Sequence, residues 1–122
     1  MKTYKVLMNI RDYNTGKIDS IVYGFDRDSA DSIPFESLVT DWKEASKEVL
    51  GWDTFEQVEL RKLKLGDRFK RKPSGKMTLE RNHYNPKDSF GPATFSCSDE
   101  NLPWGGHEVF LKPSTIVYRE SV

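Results

Sequence analysis

The chain has little of what marks a secreted, membrane-bound or metal-built protein. It holds one cysteine, Cys97, which excludes an intrachain disulfide and fits a reducing compartment. No run of about 18 apolar residues is present to cross a bilayer as a helix. Residues 1–9 lack the apolar segment and small-residue cleavage site of a signal peptide, and there is no Asn-x-Ser/Thr sequon. These absences make the cytoplasm the expected localisation, with no membrane partner. Net charge is lacking too, because 19 Lys and Arg balance 19 Asp and Glu. The glycines Gly66, Gly75, Gly91, Gly105 and Gly106 form no phosphate-binding loop.

What is present is enough for one folded domain. The 122 residues exceed the size at which a core becomes marginal, and seven Phe, five Tyr and three Trp supply large apolar anchors that disordered chains lack. The zero net charge conceals segregation. Residues 26–59 carry ten acids and three bases, a net of minus seven; residues 61–81 carry nine bases and two acids, a net of plus seven.

Along the chain, Tyr4, Val6, Met8 and Ile10 alternate with Lys5, Leu7 and Asn9, the period of a strand. Tyr13-Asn14-Thr15-Gly16 supplies turn residues, and the alternation of Ile18, Ser20 and Val22 with Asp19, Ile21, Tyr23 and Phe25 predicts a returning strand, hence a hairpin. After the polar run of residues 26–32, Phe35, Leu38, Val39, Trp42, Ala45, Val49 and Leu50 recur at three- and four-residue steps. With Pro34 at the start and Gly51 as a C-terminal cap, they predict a helix over residues 34 to 50. A short acidic connection follows Trp52. From Val58 onward the pattern reads as strands only: Val58 and Leu60, then Leu63, Leu65 and Phe69 around a Gly66-Asp67 turn. Later runs are Met77, Leu79 and Arg81; Ala93, Phe95 and Cys97; Val109 and Leu111; and Ile116 and Tyr118 after Pro113. The expected fold class is α+β: an N-terminal hairpin and one amphipathic helix (1–57) attached to a small antiparallel barrel-like region (58–119).

The pattern Leu63-x-Leu65-Gly66-Asp67-x-Phe69, a later basic-to-polar strand and the closing Leu111-Lys112-Pro113-x-Thr115-x-Val117 resemble the small SH3-like β-barrel proteins of bacteriophages and other mobile elements. The resemblance covers residues 58–119 and implies a fold more than a function.

For function, the cations of residues 61–81 stand out: Arg61, Lys62, Lys64, Arg68, Lys70, Arg71, Lys72, Lys76 and Arg81. Lys and Arg spaced along a strand and a Pro-Ser-Gly loop suit a phosphate backbone without demanding a base order. Phe69, His83, Tyr84 and Phe90 are the aromatic residues able to stack on unpaired bases if exposed. Two alternatives stay open: Phe69 belongs to the core, and the basic run complements the acidic segment or an acidic partner protein. Trp104, between Pro103 and Gly105, is either a protein-binding residue or a lid over the barrel end. Its exposure would favour a protein-interaction module, including a mobile-element factor acting on a host protein. His83, Cys97, Asp99, Glu100 and His107 match no structural zinc spacing, and Cys97 sits where a small buried hydrophobe is ordinary. The expectation is therefore a non-catalytic binding protein with no cofactor, no metal and no catalytic residue.

Overall fold

The structure, a computed structural model, describes residues 1–99 and 108–121. Trp104, His107 and Glu100, which figure in the sequence reading, lie outside the described residues. The chain divides into two compact units, one of Met1–Glu56 with Ser121, the other of Gln57–Glu120. Among the described residues the fold is mostly antiparallel β with one short helix, consistent with the α+β class. The described strands form two four-stranded sheets, which are not closed into a barrel.

In the first unit, β1 (Lys2–Asp12) and β2 (Ile18–Arg27) form the expected hairpin, with Val6 opposite Tyr23 and Met8 opposite Ile21. Tyr4, Val6, Met8 and Ile10 are all buried, as their period of two requires. The turn is held by Asp12, whose Oδ1 accepts the Asn14 and Thr15 backbone N–H groups at 2.7 and 3.1 Å. These bonds keep its carboxyl below the usual carboxylate range. Gly16 closes the turn with φ of 72°. Ile33, on the connection after β2, packs with Tyr4 and Val6, and Tyr23, Phe25, Ala30 and Phe35 lie against them.

The helix is shorter than its periodicity predicts. α1 spans Phe35–Glu44, and the chain reverses at Ser46, whose φ of 62° is in the left-handed region. Residues 47–50, expected to be helical, instead begin β3 (Lys47–Glu59), which also absorbs Gly51 and the supposed acidic connection. Steps of four residues from Ala45 to Val49 fit a strand face as well as a helix face, so local spacing did not separate the two. No residue of α1 is fully buried. Phe35, Leu38, Val39 and Trp42 are half-buried and Ala45 is exposed, while the Trp42 indole N–H donates to the Tyr23 hydroxyl at 2.7 Å.

In the second unit a 3-10 turn (Leu60–Lys62) leads to the Gly66-Asp67 turn and β4 (Arg68–Phe69). Then come β5 (Leu79–Asn85), β6 (Thr94–Asp99), β7 (Glu108–Leu111) and β8 (Ile116–Glu120). Leu60, Leu63, Phe69, Leu79, Phe95, Cys97, Leu111 and Val117 make one buried cluster. Leu65 and Met77, read as strand residues facing the core, are exposed, and Val117 rather than Ile116 is the inward residue of β8. The turn itself is strongly tied down: the Gly66 N–H donates to the Arg81 carbonyl at 2.8 Å, the Arg81 N–H to the Asp67 carbonyl at 2.9 Å, and Asp67 Oδ2 accepts the Lys64 N–H at 2.7 Å.

Gly66 has φ of +87°, and a Cβ there would come no nearer than 3.9 Å to Glu80 Oε1, so substitution meets backbone strain without a clash. Gly66→Ala should therefore lower unfolding free energy by about 1–2 kcal/mol. Chemical denaturation measures this, and an unchanged midpoint would show that the turn is not a determinant of stability.

Candidate nucleic-acid interface

The loop joining β4 to β5 gathers part of the basic run. It departs from Lys70, which is anchored by two backbone bonds with Tyr118, at 2.7 and 2.9 Å. A tight turn follows, in which the Gly75 N–H donates to the Lys72 carbonyl at 2.9 Å. A Cβ at Gly75 would sit 3.1 Å from that carbonyl oxygen, tighter than ordinary van der Waals contact, so a larger residue there would need the turn to yield by a few tenths of an ångström. Arg71, Lys72 and Lys76 line an open groove of about 410 Å³ together with Gly75, Met77 and Leu79. Leu79 belongs to the core, whereas Met77 is 47% exposed. Three exposed cationic residues thus contribute to a largely apolar groove, an arrangement that suits anionic groups attached to a flat or aliphatic body.

The other sequence-derived candidates are distributed differently. Lys62 and Lys64 are exposed, and with Arg71, Lys72 and Lys76 they stand in no ion pair with a described residue. Arg61 is exposed but engaged, its Nε lying 2.8 Å from Glu59 Oε2. Arg68, on β4 opposite Glu80, and Lys70 both have interaction partners. Arg81 is half-buried: its guanidinium lies 4.0 Å from the Phe95 ring centroid, and its Nε is buried with no hydrogen-bond partner among the described residues. It belongs to the packing of the second sheet and lies outside the residues that line the groove.

Among the aromatics, Phe69 is 1% exposed and is a core residue. Tyr84 is half-exposed, its ring tilted against Phe95 at 5.1 Å, and His83 is exposed. Phe90 is 96% exposed on a turn where Asp88 Oδ1 accepts the Phe90 and Gly91 N–H groups at 2.8 and 3.1 Å. Met77 escaped the sequence reading as a groove residue, since its alternation with Leu79 pointed to the core. The Gly75 turn immediately before it was the available signal that the strand had not yet begun.

Cys97 is fully buried, and removal from water pushes its thiol up from 9.0 to about 11, against the opposing pull of the Arg81 and Arg71 charges. A thiol held protonated in the folded state but free to ionise when unfolded supports stability that is complete below pH 9.0 and is lost as pH rises toward about 11. Unfolding midpoints should accordingly fall between about pH 8 and about pH 10.5, and fall less in Cys97→Ala. A thiol reagent should label the native protein far more slowly than the unfolded one; equal rates would contradict the burial. Among the described residues, no three His, Cys, Asp or Glu side chains converge in a way that could hold a metal ion. No described helix is long and apolar enough to cross a membrane.

The chain matches no protein-family model, no curated protein and no solved structure.

Proposed function

We propose that the protein is a non-catalytic binder of nucleic acid, engaging the phosphate backbone through the β4–β5 loop. The observation that carries this is that Arg71, Lys72 and Lys76 are exposed on one loop and line one open groove, with none of them in an ion pair with a described carboxylate. Exposed cations already paired with neighbouring acids offer little to a phosphate, whereas these three face solvent without a described carboxylate partner. Lys62 and Lys64 extend the basic surface in sequence, and half-exposed Tyr84 is a stacking candidate on the same unit. Backbone recognition of this kind is tolerant of base order. We further propose that residues 58–119 are related to the small SH3-like proteins of bacteriophages and mobile elements.

A second reading is favoured by Met77. An exposed Met77 in a groove lined by cationic residues also fits an acidic, amphipathic segment of a host protein, for which Trp104 would be a further anchor. Fluorescence anisotropy of labelled single-stranded and duplex oligonucleotides at low and moderate salt tests the choice. For three phosphate contacts, raising salt from about 50 to about 200 mM should weaken binding about 20-fold for single strands and about 40-fold for duplex. No salt-sensitive affinity for any oligonucleotide would reject the nucleic-acid reading in favour of the protein partner.

A further inference from the structure

The first unit has a concave surface of its own, about 870 Å³ in volume, whose lining includes Asp31, Ile33, Pro34, Phe35, Glu36 and Trp52. Phe35, at the start of α1, stacks on Trp52 of β3 with ring centroids 5.2 Å apart and planes 13° from parallel. Trp52 remains 43% exposed, so the pair forms an aromatic shelf open to solvent, and the exposed residues Asp31 and Glu36 line the same concave surface. An aromatic face beside carboxylates is a receptor for a cation carried on an aliphatic stem, because the ring quadrupole and the acids attract it while the stem packs on the rings. The same chemistry operates elsewhere in this unit, where the Lys47 ammonium lies 5.8 Å from the Trp42 ring centroid.

We propose that this shelf is the docking site for the basic β4–β5 loop of a second copy of the chain. Charge complementarity identifies the occupant: residues 26–59 are net minus seven and residues 61–81 net plus seven. The loop also matches the shelf chemically. Half-exposed Met77 is a flexible thioether of the kind that packs on aromatic rings, and Arg71, Lys72 and Lys76, which line the groove with it, are the counterparts of Asp31 and Glu36. With net charge near zero, no overall repulsion between copies opposes the encounter. The contact joins two different patches, so it is heterologous, and association continues past two copies unless the arrangement closes. It does not depend on the nucleic-acid reading, although both use the same cations.

Sedimentation velocity on the full chain over a wide concentration range, in about 0.05 and about 0.5 M salt, tests the proposal. The sedimentation coefficient should rise with concentration at low salt and return to the monomer value at high salt. Trp52→Ala, checked for folding by circular dichroism, should weaken association about tenfold. Asp31→Lys with Glu36→Lys, both at exposed positions, should abolish it, as should Lys72→Glu with Lys76→Glu. A one-to-one mixture of those two double variants should associate again, since each then meets a partner of opposite charge. The shelf variants leave the loop intact, so they should retain any oligonucleotide affinity while losing self-association, which separates this proposal from the previous one. A wild type that stays monomeric at low salt would overturn the proposal, as would association indifferent to both shelf variants.

Discussion

Phe69→Ala should bring the second unit to the edge of unfolding, with a loss of about 3–5 kcal/mol. Phe69 is 1% exposed and sits in the cluster formed with Leu60, Leu63, Leu79, Phe95, Cys97, Leu111 and Val117. Removing its ring forfeits apolar burial and leaves a cavity that the surrounding strands fill only in part. Domains of this size are stable by about 5–15 kcal/mol, so a loss on that scale is a large fraction of the whole. Phe69→Leu, which keeps an apolar filling, should lose clearly less. Urea denaturation followed by circular dichroism gives the comparison. If Phe69 were instead a base-stacking platform, the Ala variant would keep its stability and lose oligonucleotide affinity, and that pattern would refute the core assignment.

The second large effect concerns binding. Converting Arg71, Lys72 and Lys76 together to Glu should weaken oligonucleotide affinity by at least about 100-fold, because three exposed charge contacts of about 1 kcal/mol each are lost and repulsion of phosphate replaces them. The three residues are exposed and lie on a loop, so the variant should fold, and its melting temperature should stay close to wild type. Arg61→Ala is the matched control. Arg61 is already paired with Glu59, so its removal should change affinity by no more than about twofold. Arg81→Ala should act in the opposite sense to the loop variants, costing stability through the lost stacking on Phe95 while leaving the groove's cations in place. Equal losses of affinity from the loop triple variant and from Arg61→Ala would mean that the groove is not where nucleic acid binds.

Features set by neighbouring residues were legible without a structure. The period of two in Tyr4, Val6, Met8 and Ile10 dictates a buried face for β1 whatever it pairs with, and the turn residues before Ile18 dictate that the chain returns. The Gly66-Asp67 turn is equally local, since only a residue free of a Cβ adopts its φ without cost. What tertiary structure alone decided is where α1 gives way to β3. Val49 and Leu50 satisfy either a helical or an extended spacing, and the extended one prevails because β3 gains its backbone partners from a sheet assembled out of strands remote in sequence. The same distinction divides the basic run. Charge and order along the chain made Arg61 through Arg81 one block, but Arg81 shares its strand face with Leu79 and so turns to Phe95, Arg61 turns to Glu59, and Arg71, Lys72 and Lys76 line one groove with Met77. A side chain's charge is a property of the residue, whereas its freedom to meet a ligand depends on which neighbours the fold places beside it.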